Sequence, residues 1–153
     1  MAMLSLFGCG YSLHSHASLP FDEISISMIE NKTFEPKLQD RLHRALTEEF
    51  LKQGISVSNS AKFRLAGTIN GFDMVGLSEK NDVVIEYRVT VSTEFRLTGS
   101  DGEVKQTINI SSPFIVSFTG AEDMGVLLAT KEVAEERAMA DVAMEIVGAL
   151  IYK

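Results

Sequence analysis

The chain has 153 residues, of which 45% are hydrophobic and 23% charged, and its 21 acidic and 14 basic residues give a net charge of −7. This length and composition are typical of one globular domain and exclude an intrinsically disordered chain. The acidic balance argues against nucleic acid as a main partner, because phosphate binding needs clustered Lys and Arg. No apolar run reaches the ~18 residues that predict a membrane-spanning helix.

The N-terminal residues 4–10, Leu-Ser-Leu-Phe-Gly-Cys-Gly, contain the one cysteine of the chain, Cys9. They resemble the end of a bacterial lipoprotein signal, in which a small residue precedes a cysteine that carries acyl chains. We therefore expect residues 1–8 to be the remainder of a signal segment behind an artificial start, and residues 9–20 to be a lipidated Cys9 with its tether. The alternative is a buried or frayed cysteine. His14 and His16 lie in this tether, and two ligands alone do not make a zinc site.

The first elements follow Pro20. Residues 23–29 alternate in polarity and predict a strand with Ile24, Ile26 and Met28 on its buried side. Residues 31–36 predict a loop that leads into a helix, with Pro36 at or near the helix start. Apolar residues then recur at helical spacing up to Gly54, a natural residue for the end of a helix.

The central residues predict further strands. A short strand is expected at residues 55–58 and a firmer one at 63–69, and a bulge at Gly71 would keep Phe72 and Met74 on the same face. Residues 77–82 are expected to form a polar turn. Residues 83–97 and 104–118 alternate strictly and predict a hairpin. A two-residue type I′ turn at Asp101 and Gly102 would place Arg96 opposite Thr107, avoiding the like-charge pair of Arg96 with Lys105.

The second of these hairpin strands contains Pro113, which cannot donate a backbone hydrogen bond, so the strand is expected at a sheet edge or at a bulge. Residues 123–152 predict a long Ala-rich helix that buries the row Ala134, Ala138, Val142, Ile146 and Leu150, flanked by Val133, Ala143 and Val147. Glu48 and Glu49 in the first helix, and residues 135–137 in the last, are interpreted as solvated surface.

These elements predict an α+β fold over residues 21–153, a two-layer sandwich with two helices packed on one face of a mostly antiparallel four-stranded sheet. The sheet face turned away from the helices is rich in hydroxyl groups. It is interpreted either as plain solvated sheet or as a surface for a polar, wet partner. Its candidate partner-facing residues are Thr68, Thr90, Ser92, Thr107, Asn109 and Ser111.

No pattern of a catalytic site, a nucleotide loop or a metal site is found in the sequence. His43 lies beside the apolar stripe of the first helix, and no nucleophile can be paired with it. We therefore expect neither catalysis, nor a metal, nor a cofactor beyond acyl chains on Cys9.

Several segments in order resemble the LptE (RlpB) lipoproteins of lipopolysaccharide assembly. They are Gly-Cys-Gly-Tyr-Ser-Leu at 8–13, Ile-Ser-Ile-Ser-Met-Ile-Glu-Asn-Lys-Thr-Phe-Glu-Pro at 24–36, Arg-Ala-Leu-Thr-Glu-Glu-Phe at 44–50, Glu-Tyr-Arg-Val at 86–89 and Glu-Arg-Ala at 136–138. The resemblance implies a plug in the lumen of the outer-membrane β-barrel LptD. Such a plug would help LptD to assemble and help deliver lipopolysaccharide to the outer leaflet. It would be held at the outer membrane by its lipid anchor, on the periplasmic side or within the barrel lumen.

If lipopolysaccharide is bound directly, its phosphates would meet cations of the central hairpins: Lys80, Arg88, Arg96 and Lys105. The alternative for these four residues is ordinary cross-strand polar pairing. Two other functions stay open. One is a free-standing periplasmic lipid carrier or chaperone, which needs a deep apolar cavity between sheet and helices. The other is a pilotin-like lipoprotein that escorts a secretin.

Overall fold

The computed structural model describes residues 21–80, 83–117 and 124–152. Two helices are present, α1 (Leu38–Lys52) and α2 (Met124–Ile151). The strands are β1 (Glu23–Ile26), β2 (Glu30–Asn31), β3 (Ser56–Val57), β4 (Phe63–Lys80), β5 (Val83–Thr98) and β6 (Val104–Ser117). The predicted α+β class with two helices is confirmed. The expected anchor at Cys9 and its tether lie outside the described residues.

The sheet has six strands in the order β3-β1-β4-β5-β6, with β2 beside β4. β1 runs parallel to β3 and to β4, and β2 runs parallel to β4, whereas β4, β5 and β6 are antiparallel. The prediction of four mostly antiparallel strands is therefore wrong in number and in part of the direction. The chain passes through α1 between β1 and the strands β3 and β4, and such a crossover allows these strands to run parallel to β1. The short strand expected at residues 55–58 is confirmed as β3, whereas β2, with two residues, is too short to show an alternating pattern.

The predicted register of the β5–β6 hairpin is confirmed: Arg96 lies opposite Thr107, and Phe95 lies opposite Ile108. The predicted type I′ turn is wrong. The amide of Gly102 donates to the carbonyl of Gly99 at 3.0 Å, and that of Gly99 donates to the carbonyl of Glu103 at 2.9 Å. Gly102 has a φ of 80°. This geometry is a three-residue loop closed by a left-handed glycine. An irregularity after Leu97 restores the predicted pairing.

The bulge in β4 is confirmed, because the register with β5 shifts by one residue between Ile69 and Gly71. The polar turn expected at residues 77–82 is wrong for residues 77–80, since β4 continues to Lys80, which pairs with Val83. Residues 81 and 82 lie outside the described residues. Polar residues of a strand end can join a ladder through the backbone alone, and hydrophobic patterning does not report such pairing. The expectation that Pro113 marks an edge is confirmed, because β6 is the last strand of the sheet.

Helix α1 ends as its sequence predicts. Gly54 has a φ of 78°, its amide donates to the carbonyl of Leu51 at 3.0 Å, and that of Ile55 donates to the carbonyl of Phe50 at 2.9 Å. This pair of bonds is the Schellman motif, and both Ile55 and Phe50 are buried. At the other end, Lys37 precedes the helix with a φ of 65° and no capping side chain.

The core lies between the helices and the facing side of the sheet, and all five members of the predicted Ala134 row are buried. Three side chains differ from expectation. Met28 is 93% exposed, because β1 ends at Ile26 and Ile29 takes the next buried position. Val133 is exposed, and Ser25, which the alternation places on the side opposite to Ile24, is 6% exposed.

Charged residues connect the two helices. The Arg41 side chain, 10% exposed, lies 3.1 Å from Glu132 and 3.4 Å from Glu135, and Lys131 lies 2.7 Å from Glu35. The prediction that Glu135 is solvated is wrong, since it is 3% exposed. Burial and the Glu35 carboxylate raise the pKa of Glu135, against the opposing effect of Arg41 and Lys131.

The solvated reading of Glu49 is wrong for the same kind of reason. Glu49 is buried, and its carboxylate accepts hydrogen bonds from Lys52 and Gln53, each at 3.2 Å. Helical periodicity alone cannot identify a carboxylate that a neighbouring cation or amide allows to be buried.

Candidate functional site

The outer face of the sheet, which we define as the side turned away from α1 and α2, holds all six candidate partner-facing residues. Pairing of β4 with β5 and of β5 with β6 brings them together, with Ser92 opposite Ser111 and Thr68 opposite Glu94. The hydroxyl oxygens of Ser92 and Ser111 are 3.1 Å apart. On β6 the residues are exposed, and on β4 and β5 they are half-buried; the set is Thr68, Thr90, Ser92, Thr107, Asn109 and Ser111.

A groove of about 480 Å³ lies on this face beside β2. Two cation–carboxylate pairs line it: Lys32 with Glu30 at 3.6 Å, and Arg96 with Glu94. The exposed side chain of Met28 adds an apolar wall. The groove can therefore receive a segment that is partly apolar and partly polar. The sequence does not indicate this groove, because its alternation predicts one strand over residues 23–29, whereas β1 ends at Ile26 and leaves Met28 exposed.

The four candidate lipopolysaccharide contacts do not form one cluster of free cations. Arg96 is paired with Glu94, and Lys105 contacts Asp101 and, at 3.2 Å, Glu103. These hydrogen bonds raise the pKa of Lys105; that from Lys105 to Asp101, together with the Glu103 amide, lowers the pKa of Asp101.

The other two candidates differ from this pair. Arg88 is exposed on the outer face, and no salt bridge to it is found among the described residues. Lys80 is the last residue of β4, and its side chain lies outside the described ones. Arg64 is a further exposed cation on the outer face, opposite Thr98. The residue parity of β4 places Arg64 on this face, so the sequence carried a signal for it.

The loop of residues 31–36 is a second exposed feature. The Asn31 side chain donates to the Glu35 carbonyl at 2.8 Å and accepts from the amide and the hydroxyl of Thr33 at 3.0 and 2.8 Å. The ion pair of Glu35 with Lys131 fastens the loop to α2. Phe34 projects from this fixed loop with 108% of its reference area exposed.

Across residues 21–80, 83–117 and 124–152, no three His, Cys, Asp or Glu side chains are grouped as metal ligands would be. In the same ranges, no helix has the length and apolarity needed to cross a bilayer.

Solved structures with the same fold include several lipoproteins. A putative lipoprotein from Caulobacter crescentus is 20% identical, with a TM-score of 0.59 over 81% of this chain and 88% of that one. The rare lipoprotein B from Shewanella oneidensis is 15% identical, with a TM-score of 0.54 over 82% and 92%. A subunit of the PelC dodecamer from Paraburkholderia phytofirmans is 12% identical, with a TM-score of 0.59 over 90% and 92%. At these identities the likeness shows the fold alone.

Comparison with curated protein sequences finds no match. The family model described as "LptE: Lipopolysaccharide-assembly" matches residues 21–150, which are most of the chain and include both helices almost entirely and every strand. The resemblance read from the sequence segments is thereby confirmed, and the chain belongs to the LptE family of lipopolysaccharide assembly.

Proposed function

We propose that this LptE-family chain acts as a plug and assembly factor of the LptD β-barrel and supports delivery of lipopolysaccharide to the outer leaflet. The observation that carries the proposal is the outer face of the sheet. This face is continuous over β4, β5 and β6 and presents hydroxyl, amide and paired charged groups. The interiors of large outer-membrane barrels are polar, so a hydrophilic sheet face suits them.

The opposite face of the sheet supports the same proposal. It is covered by α1 and α2, and the space between is filled by side chains with no exposed area, including Phe50, Phe95, Leu65 and Ile146. A lipid carrier would need room for acyl chains there. The packed core therefore favours a rigid binding module over the carrier.

Direct contact with lipopolysaccharide is part of the proposal, through Lys80, Arg88, Arg96 and Lys105. Among these, Arg88 is the strongest candidate. No carboxylate partner of Arg88 is found among the described side chains, and a guanidinium can bind a phosphate with two hydrogen bonds. Arg96 and Lys105 would have to exchange their present carboxylate partners for phosphate.

Membrane attachment completes the proposal. Residues 1–8 would be signal remnant, and Cys9 would carry the acyl chains. Residues 9–20 would serve as the tether and 21–153 as the single domain. One acyl chain binds a bilayer only marginally, whereas two or more hold a protein stably. The protein would then lie at the outer membrane and act by binding without catalysis.

Site-specific photocrosslinking in cells tests the plug. A photoreactive residue at Thr107, Asn109 or Ser111 is expected to crosslink to LptD, and the exposed helix residues His43 and Arg137 are matched control positions. Stronger crosslinks from the control positions, or crosslinks to a secretin, would overturn the assignment of the outer face. Cys9→Ala, followed by palmitate labelling, tests the anchor separately.

Binding of labelled lipopolysaccharide to Arg88→Ala and to Arg137→Ala tests the cation hypothesis. Both arginines are exposed, and each variant removes one positive charge. A weaker affinity is expected for Arg88→Ala alone. Equal affinity in both variants, and in the variant with alanine at all four candidates, would reject direct phosphate recognition by these cations.

A further inference from the structure

The two edges of the sheet are built differently. β3, at one edge, has two residues, and the chain turns away directly after it through a hydrogen bond of 2.8 Å between Ser58 and Ser60. β6, at the other edge, has 14 residues, of which Lys105 alone is charged. Natural sheets usually protect an edge by shortening it or by charging it. Among the described residues, the short β3 protects one end of the sheet, whereas β6 at the other end is a long edge strand that pairs with β5 alone.

The backbone groups on the edge of β6 that points away from β5 have no strand partner among the described residues. Among the described residues, β5 is the one strand that pairs with β6. Helix α2 covers the face of β6 that holds the buried Ile108 and Ile110, and Gln106 donates a hydrogen bond of 2.9 Å to the carbonyl of Ala149. Among the described residues, no backbone hydrogen bond joins the free edge of β6 to another part of the chain. Unpaired amides and carbonyls in such a row bind an extended polypeptide strand.

We propose that β6 pairs antiparallel with β6 of a second copy of this chain, about a two-fold axis at Asn109. Directly opposite residues of an antiparallel pair lie on the same face of the sheet. The possible registers therefore place helix-facing residues of one copy opposite helix-facing residues of the other. With Asn109 opposite itself, Ile108 meets Ile110 twice on the helix side, and Thr107 meets Ser111 twice on the outer face. A shift in either direction sets Ile108 or Ile110 against a polar residue, Gln106 or Ser112.

Charge and chain geometry agree with this register. Lys105 would lie opposite Pro113 and not opposite its own copy, and its charge is already balanced by Asp101 and Glu103. The missing amide of Pro113 would then fall at the end of the ladder, where its loss costs little. One strand pair of this length buries less than the ~1,200 Å² of a stable interface, so the dimer is reversible. This inference does not rest on the proposed function.

Sedimentation of the full chain carrying Cys9→Ser, over a range of concentrations, gives the oligomeric state. The fraction of chains in a two-fold dimer is expected to increase with concentration. In the same background, Asn109→Cys places two thiols across the axis and should form a disulfide-linked dimer within the reversible one. His43→Cys on the exposed surface of α1 is the matched control. A monomer at every concentration, or equal disulfide formation in both variants, would overturn the proposal.

Two further variants keep the register falsifiable. Asn109→Lys sets like charges against each other and should abolish the dimer, whereas His43→Lys should not. A mixture of Thr107→Cys and Ser111→Cys chains should yield mixed disulfides in preference to homodimers. A dimer that survives Asn109→Lys, or homodimers in place of mixed ones, would place the contact elsewhere on the molecule.

Discussion

Gly67→Ala is expected to destabilise the fold, because the Phe95 ring occupies the place of the new methyl group. A Cβ at Gly67 would lie 2.3, 2.3 and 2.5 Å from three ring carbons of Phe95. Ordinary carbon contacts are about 3.5–4.0 Å, so the ring would have to move by about 1 Å or more. Phe95 has no exposed area and cannot swing into solvent. Overpacking of this kind costs about 1–3 kcal/mol.

The usual benefit of replacing glycine by alanine, about 0.5–1 kcal/mol, offsets part of this cost. We therefore expect the free energy of unfolding to fall by about 1 kcal/mol and Tm by about 2–4 °C. Urea denaturation measures the change, with Gly148→Ala as the control. A Cβ at Gly148 meets nothing within 4 Å, and alanine in a helix should stabilise.

A Phe95→Leu background tests whether the contact with the ring causes the loss of stability, since the smaller side chain leaves room for the methyl group. Gly67→Ala should cost less in that background than in the wild type, by about 0.5–3 kcal/mol of coupling. The reasoning is refuted if Gly67→Ala unfolds at the wild-type urea midpoint, or if its cost is the same in both backgrounds.

Three other outcomes are expected. Arg41→Ala leaves the buried Glu135 with Lys131, at 3.7 Å, as its remaining cation and should lower the free energy of unfolding by about 1–3 kcal/mol in urea titration; a loss near zero would contradict a role of this ion pair in packing. Since the pKa of Glu135 is raised on folding, the folded chain holds its proton to a higher pH than the unfolded chain, and wild-type stability falls as pH rises through that window. Glu135→Gln should flatten this fall, and an unchanged pH profile would argue against it. Gly54→Ala forces alanine into a φ of 78° and should cost about 1–2 kcal/mol, seen as a lower Tm.

The candidate site was predictable to the extent that it follows the alternation of β5 and β6. Because neighbouring residues in a strand point to opposite faces, the parity of Ile108 and Ile110 placed Thr107, Asn109 and Ser111 together on the outer face. The groove beside β2 was not predictable, because it depends on the end of β1 at Ile26 and on the exposed position of Met28. Pairing of Arg96 with Glu94 also depends on rotamers that sequence does not specify.

By itself, the sequence determined the two helices, the long hairpin with its register, the β4 bulge and the face that the described residues of β5 and β6 occupy. These features depend on local periodicity and on contacts between chain neighbours. The parallel pairing of β1 with β3 and β4, the burial of Glu135 and Glu49, and the exposure of Met28 were decided by the tertiary structure. β1 and Glu135 depend on partners distant in the chain, Met28 depends on where β1 ends, and Glu49 depends on side-chain hydrogen bonds from Lys52 and Gln53. None of these contacts leaves a periodic pattern in the residues.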